Sequence, residues 1–325
     1  MKIAIIKLSA LGDIIHASVC LALIKAHVKN AHISWFVDAS FGELLKSCAL
    51  IDELILLPLK DKNYKQSLQI VNAHKNSFDV IIDLQGLIKS GIVARLLGAN
   101  TYGFSYTSAK EALASIFYRH KLVCDYNENV ILRNANLCAF ALNFSYKNEE
   151  IANKDAVFYT KSINKIKEQN YILIAPFASE ISKCYAHYDK LIGLLKNALK
   201  EYEIFIIQNG GKEETKARQI AQNSGAKVLE NSSFDELVAI INNAKLLIGN
   251  DSGITHLAWV QNIATITLFG NRPSSRNAFI TPKNLVIDAG KKINARKINK
   301  NDFCINEISP QIIAQRALEL IKEHR

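Results

Sequence analysis

Two successive trains of short apolar runs, each run followed by a stretch of helical spacing, constrain this chain more than any single residue does. The first train opens with "KIAIIKL", rich in β-branched residues and too short for a buried helix, so it reads as a buried strand. "DIIHASVCLALIKAHV" follows with apolar residues at helical spacing (Ile14, Ile15, Val19, Leu21 to Ile24, Val28), and Asp13 is placed to cap it. Strands "HISWFV", "DELILLPL" and "FDVIIDLQG" then alternate with helices "FGELLKSC", "YKQSLQIVNAHK" and "LIKSGIVARLLG", and two further helical stretches lie around 108–119 and 128–143. From Ser145 to Asn170 the composition shifts to Lys, Asn, Glu and Ser, as in a linker. The pattern then restarts with "YILIAPF" and runs through four more strands, "YEIFIIQNG", "AKVLE", "KLLIGND" and "IATITLFG", with helices between them. Such alternation predicts an α/β chain of two doubly wound, Rossmann-like parallel sheets facing a central cleft. The expected domains are 1–155 and 156–308. A closing helix over 309–325, with Ser309 as its cap and Pro310 at its first position, is expected to pack back on the first domain.

Several classes are excluded early. Lys2 and the apolar run after it imitate a secretion signal, but Lys7 and the Gly12-Asp13 turn interrupt them. No stretch reaches the ~18 uninterrupted apolar residues of a membrane span. The six cysteines, at 20, 48, 124, 138, 184 and 304, form no CxxC pair, which points to reduced thiols and against zinc. The net charge of +10 suits an anionic partner or a solvated lysine-rich surface. No RNA-binding aromatic box, zinc finger or basic zipper helix is present, so nucleic acid is not expected.

Ligands of open α/β sheets bind beyond the carboxyl ends of the strands. The first such loop, ending at Asp13, lacks both GxGxxG and a Walker GK[ST]. What remains is a carboxylate at a helix mouth, which either caps the helix or accepts a proton from an attacking hydroxyl. "GNDSGITHLA" gathers Asp251, Ser252, Gly253, Thr255 and His256 at one strand end. That is either an anion site of free N–H groups and hydroxyls or a cap with a half-buried histidine. Lys183, in "FASEISKCY", is placed to pair with a diphosphate or to sit on the surface. Glu213 and Glu214, after "IIQNGG", meet ribose hydroxyls or simply begin a helix. "DLQGLIKS" places Asp83, Gln85 and Lys89 near the first loop, and Lys60, Lys62, Lys65, Lys110 and Arg119 add positive charge for an acidic acceptor or for solvent.

Taken together, "KLSALGDIIHA", "DVIIDLQGLIKS", "KEALASIFYRHK", the Lys183 loop and "NDSGITHLA" resemble, in the same order and along essentially the whole chain, the bacterial lipopolysaccharide heptosyltransferases of glycosyltransferase family 9. The resemblance implies the two-domain GT-B fold, with acceptor on the first domain and nucleotide-sugar on the second. It implies inverting, metal-independent transfer of L-glycero-D-manno-heptose from ADP-L-glycero-D-manno-heptose to the inner Kdo of Kdo-lipid A, without a cofactor. The site is the cytoplasmic face of an anionic inner membrane, where the enzyme is peripheral. The family's catalytic aspartate falls on Asp13, its phosphate-binding lysine on Lys183, its ribose carboxylate on Glu213, and its donor motif on Asp251, Ser252, Gly253, Thr255 and His256. Acceptor contacts fall on Lys110, Gln85 and the group Lys60, Lys62 and Lys65. Relatives often carry a small hydroxyl residue where Ala10 stands, arginine at Lys110, and paired threonines where Ala178 and Ser179 stand, so Ser179 alone keeps a donor hydroxyl. Lysine keeps the charge of arginine without its bidentate fork. "KLSALGD" favours the enzyme that adds the first heptose over one that extends an existing heptose or uses another ADP-sugar. The rivals from other classes are a nicotinamide oxidoreductase, which the missing glycine fingerprint disfavours, and a non-catalytic two-lobed sugar-binding protein.

Overall fold

The computed structural model describes residues 1–323, and the chain divides into two compact units, Met1–Tyr159 and Thr160 onward. In the first unit, β1 (Lys2–Ile6), β2 (His32–Asp38), β3 (Glu53–Leu57), β4 (Val80–Asp83), β5 (Thr101–Phe104) and β6 (His120–Leu122) form one parallel sheet. The spatial order is β3-β2-β1-β4-β5-β6. Its helices are α1 (Leu11–His27), α2 (Gly42–Lys46), α3 (Tyr64–Ala73), α4 (Ile88–Leu97), α5 (Val130–Leu142) and α6 (Asn148–Ala152), with a 3-10 segment at Ala112–Phe117. Helices on both faces explain why the central strands read as unbroken apolar runs: Ile3, Ala4, Ile5 and Ile6 are all fully buried. α1 is apolar nearly all round because it is enclosed, packing on α5 on one side, with Ile14 through Leu21 buried without a break.

The second unit repeats the plan. β7 (Tyr171–Ala175), β8 (Glu203–Ile206), β9 (Lys227–Val228), β10 (Leu246–Asn250), β11 (Thr265–Phe269) and β12 (Asn284–Asp288) are all parallel, in the order β12-β11-β10-β7-β8-β9. α7 (Tyr188–Ala198), α8 (Gly211–Ser224), α9 (Phe234–Asn242), α10 (Gly253–Val260), α11 (Ser274–Asn277) and α12 (Pro310–Glu323) accompany them. Each unit has its own core. Ile6, Phe36, Leu57, Ile81 and Leu97 belong to the first, and Ile174, Leu191, Ile206, Ile248 and Leu268 to the second. A fully buried side chain of this size contributes about 1.5–3 kcal/mol over an exposed one.

Three expectations are corrected. The closing helix packs on α7 within the second unit, and Ile313, Ala317 and Leu320 enter that unit's core. Its expected span reaches 325, and residues 324–325 lie outside the described residues. The stretch from Ser145 is not a free linker up to Asn170: α6 forms within it, Val157 and Phe158 are fully buried, and Tyr159 N donates to Ser47 O at 2.7 Å. Of the stretch 108–119 only Ala112–Phe117 is helical, and it is 3-10 rather than α. The strands β5, β6 and β12 went unread. "HKL" and "NLVID" are sheet edges, half covered, without the apolar continuity of the central strands. Among the described residues no helix is long and apolar enough to cross a membrane.

Candidate active site

In both sheets the chain order reverses beside the first strand, between β1 and β4 and again between β7 and β10. The crevice at such a reversal is where open α/β sheets bind ligands. The four loops singled out in the sequence follow those four strands.

At the first reversal the backbone is held by side chains from neighbouring loops. Gln85 is buried, and its Oε1 accepts from Leu8 N at 3.0 Å and Ser9 N at 3.1 Å, which fixes the chain leading into α1. Lys7 Nζ, also buried, donates to Leu84 O at 2.8 Å, and Trp35 Nε1 donates to Lys7 O at 3.2 Å. Asp83 is fully buried and accepts from Gln85 N (2.8 Å), Gly86 N (3.3 Å) and Tyr118 Oη (2.6 Å). Burial pushes its carboxyl up, against the pull of the Tyr118 and Ser90 hydroxyls and those two amides. Asp83 therefore shapes the turn and does not face a ligand. Gly86 sits there at φ +67°, the left-handed region that favours glycine.

Asp13 is not the cap of α1. Ala10 occupies that position without a side-chain bond, and Asp13 is the third helical residue. Its carboxylate is partly exposed and has no hydrogen-bond or ion-pair partner among the described residues. The capping reading of Asp13 falls.

The basic residues lie at the same end of the sheet, Lys60 and Lys62 on the loop after β3, Lys65 in the first turn of α3 and Lys110 on the loop after β5. Lys60 N donates to Asp38 Oδ2 at 2.8 Å, and Lys60 Nζ lies 4.5 Å from the Phe41 ring centroid. Lys62 and Lys65 are exposed. Asp38 also joins this loop to the first one, its N donating to Leu8 O at 3.2 Å. Lys110 is exposed on the loop after β5, where Glu111 N donates to Gly86 O at 3.1 Å and Ile88 N to Glu111 Oε2 at 2.7 Å. Buried Arg133 steadies that loop from α5. Its Nη2 donates to Ser108 O at 2.6 Å, and its guanidinium lies over the Phe104 ring at 4.6 Å. Asp38 and Arg133 were missed: Asp38 ends the strand "HISWFV" but acts through Lys60, and Arg133 lies inside a helical stretch and acts through Ser108.

At the second reversal Asp251 is the centre. Its Oδ2 meets Lys183 Nζ at 2.7 Å and its Oδ1 meets His256 Nε2 at 3.0 Å, with the carboxylate and the ring both buried. Burial pushes the Asp251 carboxyl up, but the Lys183 ammonium and the His256 ring outweigh it and hold it well below the usual carboxylate range. An ionised carboxylate only accepts, so His256 Nε2 carries the proton of that bond. Lys183 is thus not a loose surface cation: Asp251 aims it at the start of α10. Ser252 is the cap residue of α10 without a side-chain cap bond, so the first amides of the helix remain to meet an anion. Thr255 Oγ1 donates to Asn250 O at 2.7 Å, and fully buried Asn250 accepts from Tyr188 Oη (2.9 Å) and donates to Pro176 O (2.7 Å). Gly249 allows this closeness, since a Cβ there would overlap Thr255 Oγ1 and lie 2.9 Å from Ala175 Cβ.

Glu213 opens α8, and its Oε2 accepts from Asn209 N at 3.1 Å. Ser179 is exposed on the loop after β7. Beside it Glu180 binds Arg272 Nη2, after β11, at 2.9 Å and Lys300 Nζ, after β12, at 3.4 Å, two cations that the sequence reading passed over. Burial pushes the Glu180 carboxyl up, but those two cations hold it below its ordinary value.

The Lys183–Asp251–His256 cluster at a helix start is chemistry suited to an anionic ligand. Comparison with known proteins gives the family independently of these residues. The model of Glycosyltransferase family 9 (heptosyltransferase) matches residues 70–304. The chain belongs to that family. Lipopolysaccharide heptosyltransferase 1 of Campylobacter coli is 42% identical over 99% of this chain and 98% of its own. Lipopolysaccharide heptosyltransferase 1 of Escherichia coli K12 is 25% identical over 83% and 88%. The solved structure of E. coli heptosyltransferase WaaC with ADP superposes with a TM-score of 0.80, at 21% identity, over 98% of this chain and all of that one. E. coli ADP-heptose lps heptosyltransferase II gives 0.72 at 17% identity. The fold is GT-B, and the chain is a glycosyltransferase of the lipopolysaccharide heptosyltransferase kind. The oxidoreductase and non-catalytic readings fall away. The Asp13 loop lies outside the residues of the family match and inside the span aligned with the C. coli relative.

Proposed function

We propose that this family 9 glycosyltransferase transfers L-glycero-D-manno-heptose from ADP-heptose to the inner Kdo of Kdo-lipid A, inverting the anomeric carbon. The observation that carries the reading is the Lys183–Asp251–His256 cluster at the start of α10, together with its full-length likeness to heptosyltransferase 1 of C. coli. Asp13 takes the proton of a Kdo hydroxyl as that oxygen bonds to the anomeric carbon. The bond from that carbon to the diphosphate breaks, and ADP leaves with the electron pair. The Lys183 ammonium and the first amides of α10 meet the charge that develops on the diphosphate. Ser252, Gly253, Thr255, His256 and Ser179 complete the donor contacts, and Glu213 receives the ribose. Lys60, Lys62, Lys65, Lys110 and the Gln85 amide hold the anionic acceptor at the cytoplasmic face of the membrane.

The test incubates the protein with ADP-heptose and Kdo-lipid A and reads product mass. Wild type is expected to add one heptose. Asp13→Ala is expected to lose about 10²- to 10⁴-fold in kcat, the usual worth of a general base, with ADP binding unchanged. Wild-type turnover by that variant removes the proposed base. Product formed only on an acceptor that already bears heptose moves the chain to the second enzyme of the series.

A further inference from the structure

The first unit carries an exposed apolar surface that the transfer reaction leaves unused. Ile88 and Ile92 stand one turn apart on α4 and flank Gly91. A Cβ at Gly91 would lie 2.8 Å from the Phe117 ring and 3.2 Å from Ala114 O, so α4 and the 3-10 segment Ala112–Phe117 pack side by side there. Leu113 and Ile116 project from that segment. All four are large aliphatics left open to water, at 37% (Ile88), 42% (Ile92), 57% (Leu113) and 67% (Ile116) of their full exposure. Isolated surface aliphatics need no explanation, but a cluster of four across two adjoining elements marks an interaction surface.

Charge on the same stretch names the partner. Residues 86–121 contain five basic side chains, Lys89, Arg95, Lys110, Arg119 and Lys121, against a single acid, Glu111. The five are exposed, and none has a carboxylate partner among the described residues. The Glu111 carboxylate is engaged by Ile88 N. Unneutralised cations around exposed aliphatics complement an anionic lipid surface, where the aliphatics enter the acyl boundary and the cations meet the headgroups. A second copy of the chain fits poorly, because it brings the same unpaired cations to the contact. The surface also continues into the acceptor side of the unit through the Glu111 N–Gly86 O bond beside Lys110.

We propose that α4 and the segment Ala112–Phe117 form the docking face on which this enzyme rests on an anionic lipid bilayer, inserting Ile88, Ile92, Leu113 and Ile116 beneath a collar of lysine and arginine. Its purpose rests on the glycolipid acceptor proposed above; its physical content does not. Binding is measured by co-sedimentation of the full chain with vesicles of phosphatidylcholine alone and with one part in four replaced by phosphatidylglycerol. Wild type is expected to bind the anionic vesicles at least about tenfold more tightly than the neutral ones, and to release in high salt. The double variant Ile92→Gln/Ile116→Gln and the double variant Arg95→Gln/Lys121→Gln are each expected to lose about tenfold in partitioning. Both keep wild-type melting and wild-type transfer to a soluble, acyl-free Kdo acceptor, while transfer to vesicle-embedded acceptor falls. Equal partitioning of variants and wild type, or no binding of wild type to anionic vesicles, overturns the proposal. So does a dimer in sedimentation velocity that these substitutions abolish, or an equal loss of transfer to the soluble acceptor. Vesicle binding without any heptose transfer leaves the docking face standing and removes the transfer reaction.

Discussion

Asp251 illustrates how one buried carboxylate sets two other side chains. It lies between Lys183 Nζ and His256 Nε2, at 2.7 and 3.0 Å, and both cation and ring owe their aim to it. Removing the carboxylate leaves a largely buried ammonium unpaired, which costs several kcal/mol where the ion cannot reach water. Lys183 retains some exposure, so Asp251→Asn is expected to lose about 2–4 kcal/mol of stability at pH 7, and about tenfold or more in ADP affinity. The pH dependence has a definite sign. In the folded protein the Asp251 carboxyl is held below its ordinary value of 3.8, so the unfolded chain binds the extra proton first as acid is added. The stabilising contribution is complete above pH 4 and is lost as pH falls from there through the folded value. Chemical melts of wild type and Asp251→Asn are therefore expected to differ by a constant amount from pH 5 to 7 and to converge below pH 4. A difference that grows in acid contradicts the assignment.

Gln85 shows how an element depends on a loop it does not belong to. The sequence placed it with the acceptor, yet its Oε1 holds Leu8 N and Ser9 N and thereby sets the approach to α1, on which Asp13 rides. Gln85→Leu leaves two amides without that partner, at about 1–3 kcal/mol for each one that stays buried. Stability is expected to drop by that order and kcat to fall, because Asp13 loses its fixed position, with ADP affinity unchanged. Calorimetry, turnover and ADP titration on one preparation separate the outcomes: a rise in acceptor KM at full kcat and full stability makes Gln85 a substrate contact only. Much at this scale was legible beforehand. The central strands announce themselves because burial on both faces demands continuous Ile, Leu and Val, and "NDSGITHLA" announces a helix start because Asp, Ser and Gly, followed by helical spacing, are cap and turn residues. The edge strands β6 and β12 were not legible, since half-covered strands carry no such demand. Nor was the role of Asp38, Arg133 or Arg272: each acts through contacts with residues distant in the chain, Lys60, Ser108 and Glu180. The capping of α1 was misread because Asp is a preferred cap residue, while the chain enters the helix through Ala10 instead.

At the scale of the whole molecule, one six-strand plan is used twice, and its two reversal points carry opposite chemistry. The first presents a free carboxylate with lysines on the loops around it, suited to an anionic acceptor that must lose a proton. The second presents an aimed lysine and a helix start, suited to a diphosphate. Composition alone does not show this division: the +10 charge belongs to the full chain, and the fold places its lysines at the strand ends of two separate sheets. Amide hydrogen exchange tests the ligand proposed for each. ADP is expected to slow exchange in the segments 176–184, 209–214 and 250–256, which follow β7, β8 and β10, and to leave 8–13 and 84–89 unchanged. A soluble Kdo acceptor is expected to do the reverse, slowing 58–65, 84–89 and 105–111. Protein with Lys183→Ala should lose the ADP pattern and keep the acceptor pattern, because the two ligands are held by different side chains. Slowing of 8–13 by ADP alone to the same degree as 250–256 contradicts a nucleotide site confined to the second unit.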